Sequence, residues 1–200
     1  MPVTNYFTLQ RYTLFDAPRL FGLFILCLVG LNACAPERDI HDQIIIAARK
    51  NDIEKVKELI AKGADIKARE KVGEGHTALF NAAGAGHTEI VKFLIDKGAD
   101  VNESPGKITP LIMATWAGHT DTVRVLLQAS ANPNARDENG WTALTHAANK
   151  GYLEIARLLV EKGADVNVRL TDGNTPLSLA RAKKNQEMIE LLKRAGAKES

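Results

Sequence analysis

Two cysteines and five histidines are the residues of this chain best suited to nucleophilic or metal chemistry. Cys27 and Cys34 both lie near the N-terminus, and no cysteine follows Ala35. The remainder of the chain therefore offers no disulfide, no thiolate metal ligand and no cysteine nucleophile. The histidines are His41, His76, His87, His119 and His146. No pair of them has the one-turn helical spacing of a metal-binding helix. Gly84-Ala85-Gly86 closes an apolar stretch instead of opening a helix, so it does not read as a phosphate-cradling loop. Aspartate and glutamate are spread over polar segments, where a solvated surface is the ordinary outcome. No catalytic set, no metal site and no cofactor is expected, and the reading is of a protein that is not an enzyme.

The composition is that of a folded soluble protein, with 45% hydrophobic and 25% charged residues. The formal net charge of +2 argues against a nucleic-acid partner, because such a domain needs a large basic surplus to neutralise phosphates. One segment departs from this pattern. Residues 20–31, LFGLFILCLVGL, carry no charge and follow a polar stretch in which Arg11 and Arg19 outweigh Asp16. Twelve residues are too few to span a bilayer, which takes about 20. A basic stretch, a short apolar core and small residues after it have the layout of a secretory signal peptide. The residues that close it, Leu31-Asn32-Ala33-Cys34, resemble the lipobox of bacterial lipoproteins. The resemblance implies cleavage before Cys34, acylation of its thiol and a place in a Gram-negative envelope. Ala35 stands where aspartate would imply inner-membrane retention, so the outer membrane, facing the periplasm, is favoured. Asn32 and the long polar stretch are departures, and an internal start ahead of Leu20 would shorten the latter. An uncleaved anchor or a plain signal peptide is the alternative.

The rest of the chain repeats. Thr77-Ala78-Leu79, Thr109-Pro110-Leu111, Thr142-Ala143-Leu144 and Thr175-Pro176-Leu177 recur at spacings of 32, 33 and 33. Gly63-Ala64-Asp65, Gly98-Ala99-Asp100, Ser130-Ala131-Asn132, Gly163-Ala164-Asp165 and Gly196-Ala197-Lys198 keep the same phase, as do Gly86-His87, Gly118-His119 and Gly151-Tyr152. Such a period signals a stacked-repeat architecture. Each marker has a mechanical role. The threonine caps a helix, and Pro110 and Pro176 then occupy the first helical position, where the missing N–H costs nothing. Alanines follow, small enough for close helix contact. Gly86, Gly118 and Gly151 make a left-handed turn into a second helix, expected over 89–97, 121–128 and 153–162. Short polar segments then lead to the next unit.

This unit resembles the ankyrin repeat over about 160 residues, from roughly Ile40 onward. The resemblance implies an all-α solenoid of about five helix-turn-helix units with hairpin-like loops. The expected organisation is a signal peptide at 1–33, acylated Cys34 with a short linker at 34–39, and repeats over 40–200. The units fall near 40–75, 76–108, 109–141, 142–174 and 175–200, the first and last reading as caps. In the family, His87 and His119 stand where the ring hydrogen-bonds between repeats. The histidine usual after Thr-Pro-Leu is absent, with Phe80, Ile112, Thr145 and Ser178 in its place.

What the resemblance implies for function is protein binding, with the membrane reached through the lipid anchor and a monomeric state expected. Partners read the residues that vary on the concave side of such a stack. Mapped here, these are Phe80, Met113, Trp116, Arg136, Trp141, His146, Asn149, Lys150 and Arg169. Tryptophan and arginine are the types enriched at interface hot spots. Packing of Trp116 against a neighbouring repeat is the competing reading for that residue. An inhibitor neutralising a periplasmic toxin and a structural envelope scaffold are the alternative roles within the same fold.

Overall fold

The computed structural model describes residues 39–71 and 75–198. The signal-peptide and lipobox reading falls on residues 1–34 and lies outside the described residues. Among those described there are ten α-helices: α1 (Ile40–Arg49), α2 (Ile53–Ala61), α3 (Ala78–Ala85), α4 (Thr88–Asp96), α5 (Pro110–Ala117), α6 (Thr120–Gln128), α7 (Ala143–Lys150), α8 (Leu153–Glu161), α9 (Pro176–Ala182) and α10 (Gln186–Arg194). The three second helices begin or end within one residue of the spans expected from sequence.

The caps explain why the helices begin where they do. The hydroxyl oxygens of Thr77, Thr109, Thr142 and Thr175 accept from the backbone N–H three residues on. Thr145 and Ser178 return the bond to the N-cap N–H, which makes two of the four caps reciprocal boxes. Gly86 and Gly118 end the first helices in the left-handed region, with φ of 75° and 82°. They are also spatially obligatory. A Cβ at Gly86 would stand 2.6 Å from His119 Nδ1, and one at Gly118 would stand 2.9 Å from Tyr152 Cζ.

The helices form two rows. α1, α3, α5, α7 and α9 pack each on the next, and α2, α4, α6, α8 and α10 do the same behind them. Small residues let the first row approach closely: Ala82, Ala83, Ala114, Ala147, Ala148 and Ala180 are fully buried. The second row supplies bulk through Ile90, Leu94, Leu126, Ile155, Leu159 and Met188, also fully buried. Each such side chain contributes about 1.5–3 kcal/mol by leaving water. The core is thus a ribbon running through every unit, and each unit leans on its neighbours.

Polar ties join successive units. Nε2 of His87 lies 3.0 Å from the carbonyl oxygen of Arg49, and Nε2 of His119 lies 3.1 Å from that of Gly84. A carbonyl only accepts, so both rings carry the proton on Nε2. A second series escaped the sequence reading. Oδ1 of Asn102, Asn134 and Asn167 accepts from the N–H of Asn132, Asp165 and Lys198, at 2.7, 2.7 and 2.8 Å. Their amide Nδ2 groups donate to the carbonyls of Ser130, Gly163 and Gly196. These asparagines recur at the repeat period, which was the available signal.

Candidate protein-interaction surface

The hairpin loops and the first helices carry the residues singled out from sequence. Three hairpins are closed by a backbone bond across their base: Glu70 N to His76 O, Asp137 N to Trp141 O, and Leu170 N to Asn174 O, at 2.9–3.0 Å. The hairpin between α4 and α5 is different. Its tip is a single 3-10 turn, Pro105–Lys107, in which Gly106 and Lys107 both adopt positive φ. The loop is one residue shorter than the next, and no comparable cross-base bond forms. A gap opens between this hairpin and the one at 136–141.

Two hollows of about 300 Å³ each occupy that gap. One is lined by Gly106, Ile108, Asp137, Glu138 and Asn139. The other is lined by Ile108, Ile112, Met113, Trp116, Asp137 and His146. Sharing Ile108 and Asp137, they form one groove. Trp116 stands at its edge, 52% exposed, the one large hydrophobic side chain so exposed among the described residues. The ammonium of Lys150, one unit along, lies 5.2 Å from the centre of its ring. The expected alternative, Trp116 packed away against its neighbour, does not hold.

Asp137 organises the groove floor. Its Oδ1 accepts from the N–H of Asn139 and of Trp141, both at 2.9 Å. Oδ2 lies 3.4 Å from His146 Nε2. Burial holds the His146 imidazole below its ordinary pKa, against the opposing pull of Asp137. The ring is therefore neutral at pH 7 and donates Nε2–H to the carboxylate.

The other sequence candidates divide by exposure. Arg136, Lys150 and Arg169 are exposed, and Arg136 Nη1 donates to the carbonyl of Arg169 at 3.1 Å. Met113 and Asn149 are half-buried. A Cβ at Gly84 would stand 2.8 Å from Met113 Cγ, so Met113 occupies the room that the glycine leaves. Trp141 is half-buried against the core, its ring centre 4.9 Å from that of His146. Phe80 requires a correction. It is 3% exposed and stacked on His76 at 4.1 Å, so it presents no area to a partner. Ile108, Ile112 and Asp137 line the groove and were not singled out. Ile112 occupies the same position as Phe80 and is equally buried, 2% exposed, beneath the open junction. Among the described residues no three His, Cys, Asp or Glu side chains converge as a metal site would require.

The family model for ankyrin repeats (3 copies) matches residues 44–137 and 129–199, most of the chain. This chain belongs to the ankyrin-repeat family. Among curated proteins it is similar to an E3 ubiquitin-protein ligase of Caenorhabditis elegans, 36% identical over 112 residues, which is 56% of this chain and 4% of the ligase. A 2-5A-dependent ribonuclease of Mus musculus is 40% identical over 72 residues, 36% of this chain and 10% of that enzyme. An ankyrin repeat protein of fowlpox virus (strain NVSL) is 30% identical over 131 residues, 64% of this chain and 38% of the viral protein. The chain thus spans well under half the length of each. The ankyrin stack is a protein–protein interaction module.

Proposed function

We propose that this ankyrin protein is a non-catalytic protein-binding module held by acylated Cys34 at the periplasmic face of a bacterial envelope membrane, the outer membrane in particular. The binding side of this reading rests on one observation, the 52% exposure of Trp116 at the edge of an apolar groove. A large aromatic left in water costs free energy that a partner recovers, and such residues dominate interface energetics. The anchoring side is supported by Leu31-Asn32-Ala33-Cys34 after the uncharged run 20–31. Two acyl chains or more are needed for stable membrane attachment, and a lipoprotein cysteine supplies them. Residues 35–39 are a tether of at most about 17 Å between the proposed anchor and the repeats.

Two measurements test the proposal. Labelled fatty acid is incorporated into the wild type and not into Cys34→Ser, which accumulates uncleaved precursor; equal labelling removes the anchor. Affinity capture from solubilised envelopes recovers a partner whose binding Trp116→Ala weakens by at least about 2 kcal/mol. The outer-face variants Lys92→Ala and Glu161→Ala leave capture unchanged. The identity of the captured protein separates an inhibitor from a scaffold. Capture that survives Trp116→Ala but fails in the outer-face variants places the interface elsewhere.

A further inference from the structure

The groove between the second and third hairpins has a definite chemistry. Ile108, Met113 and the Trp116 ring make its wall apolar over buried Ile112, while Glu138 puts a carboxylate at its tip end and Asp137, largely buried, puts one at its floor. Glu138 is exposed, and no ion pair holds it among the described residues. Asp137 is bound on Oδ1 by two backbone N–H groups, but on Oδ2 only by the long contact to neutral His146. No cationic side chain lines either hollow. Lys107 and Arg136, the sequence neighbours of Ile108 and Asp137, line a separate hollow with Asn102 and Asn132. The Lys150 ammonium at the rim, 5.2 Å from the Trp116 ring centre, already shows a cation over that ring.

We propose that this groove receives an arginine side chain from the partner protein, with its aliphatic stem along Ile108, Met113 and Trp116 and its guanidinium at Asp137 and Glu138. The inference rests on the proposed binding function and names the partner's chemistry. An apolar wall that runs from Trp116 to Ile108 and ends at carboxylates matches the apolar stem and the terminal hydrogen-bond donors of an arginine. A guanidinium is preferred to an ammonium because its planar fork meets a carboxylate through two hydrogen bonds and it is more weakly hydrated. Lys150 plays the opposite part here. It competes for the Trp116 ring and repels an incoming cation.

The test uses the full chain, isotopically labelled and solubilised in detergent, with the Trp116 indole N–H followed by NMR. The probes are N-acetyl-arginine amide, N-acetyl-glutamate amide and N-acetyl-leucine amide. The arginine probe shifts the Trp116 signal and saturates at millimolar concentration; the leucine probe binds more weakly and the glutamate probe does not bind. Lys150→Ala tightens arginine binding by about threefold, and Glu138→Gln weakens it by about threefold, the scale of an exposed charge pair. Glutamate binding as well as arginine, no shift with arginine, or a weakening in Lys150→Ala each overturns the inference. A photocrosslinking residue at position 149 in cells separates this failure from that of the broader reading. A crosslinked protein without arginine preference removes only the present inference. No crosslinked protein removes the proposed function with it.

Discussion

His146 Nε2 lies 3.4 Å from Asp137 Oδ2, so one imidazole ties α7 to the hairpin that precedes it. The ring is largely buried, and that burial lowers its pKa more than Asp137 raises it, with Lys150 adding to the lowering. The sign follows from linkage. With a folded pKa below the ordinary 6.5, the unfolded chain binds a proton that the folded chain excludes. Stability from this group is complete above 6.5 and is lost as pH falls toward the folded value. Urea unfolding of wild type and His146→Gln at about pH 7.5 and 5.5, on either side of the ordinary histidine range, measures it. The wild type loses more stability on acidification than the variant. Equal losses refute the assignment.

Asn51, Ser130 and Lys184 occupy the left-handed region at helix ends where other units use glycine. Ser130 has φ of 65° at the place of Gly98 and Gly163, and Lys184 has φ of 56° at the place of Gly118. A side chain costs about 1–2 kcal/mol in that conformation. Ser130→Gly and Lys184→Gly each raise stability by up to about 1 kcal/mol, after the added unfolded-state entropy of glycine is set against relief of strain. Gly118→Ala acts in the opposite sense, because left-handed strain adds to collision with Tyr152. Its cost is at least about 2 kcal/mol. Denaturant midpoints of the three variants check the signs.

Leu94 and Leu159 are fully buried in equivalent second helices, α4 and α8. Truncation to alanine removes transfer energy and leaves a cavity, at a cost of about 2–5 kcal/mol for either. The sites lie two units apart and share no direct helix contact, so the double variant loses about the sum of the two. Chemical denaturation reads all three. A change below about half a kcal/mol for both single variants contradicts the packing described.

Thr115 on α5 is fully buried, and its Oγ1 has no hydrogen-bond partner among the described residues. Ala83 and Ala148 hold the same place in the flanking units. An unmade buried hydrogen bond costs about 1–3 kcal/mol, so Thr115→Val, which keeps the shape and removes the hydroxyl, stabilises by about 1 kcal/mol. A thermal melt of the variant below that of the wild type contradicts this.

The sequence by itself determined the repeat, because its signals are local. A threonine cap needs only the N–H groups of its own first turn, a proline at the first helical position needs only the absence of a donor, and a glycine after a helix needs only its own φ. Those rules placed the helix starts, the turns at Gly86 and Gly118, and the family. Exposure obeys no such rule, because it is decided by residues about 33 positions away in the next unit. Phe80 and Trp116 were equal candidates as sequence; the stack buries one and leaves the other half in water beside Lys150. The groove was equally illegible. A loop one residue short was visible in the spacing, but a gap exists only between two hairpins, and its lining of Ile108, Ile112 and Asp137 is assembled from both sides of that gap.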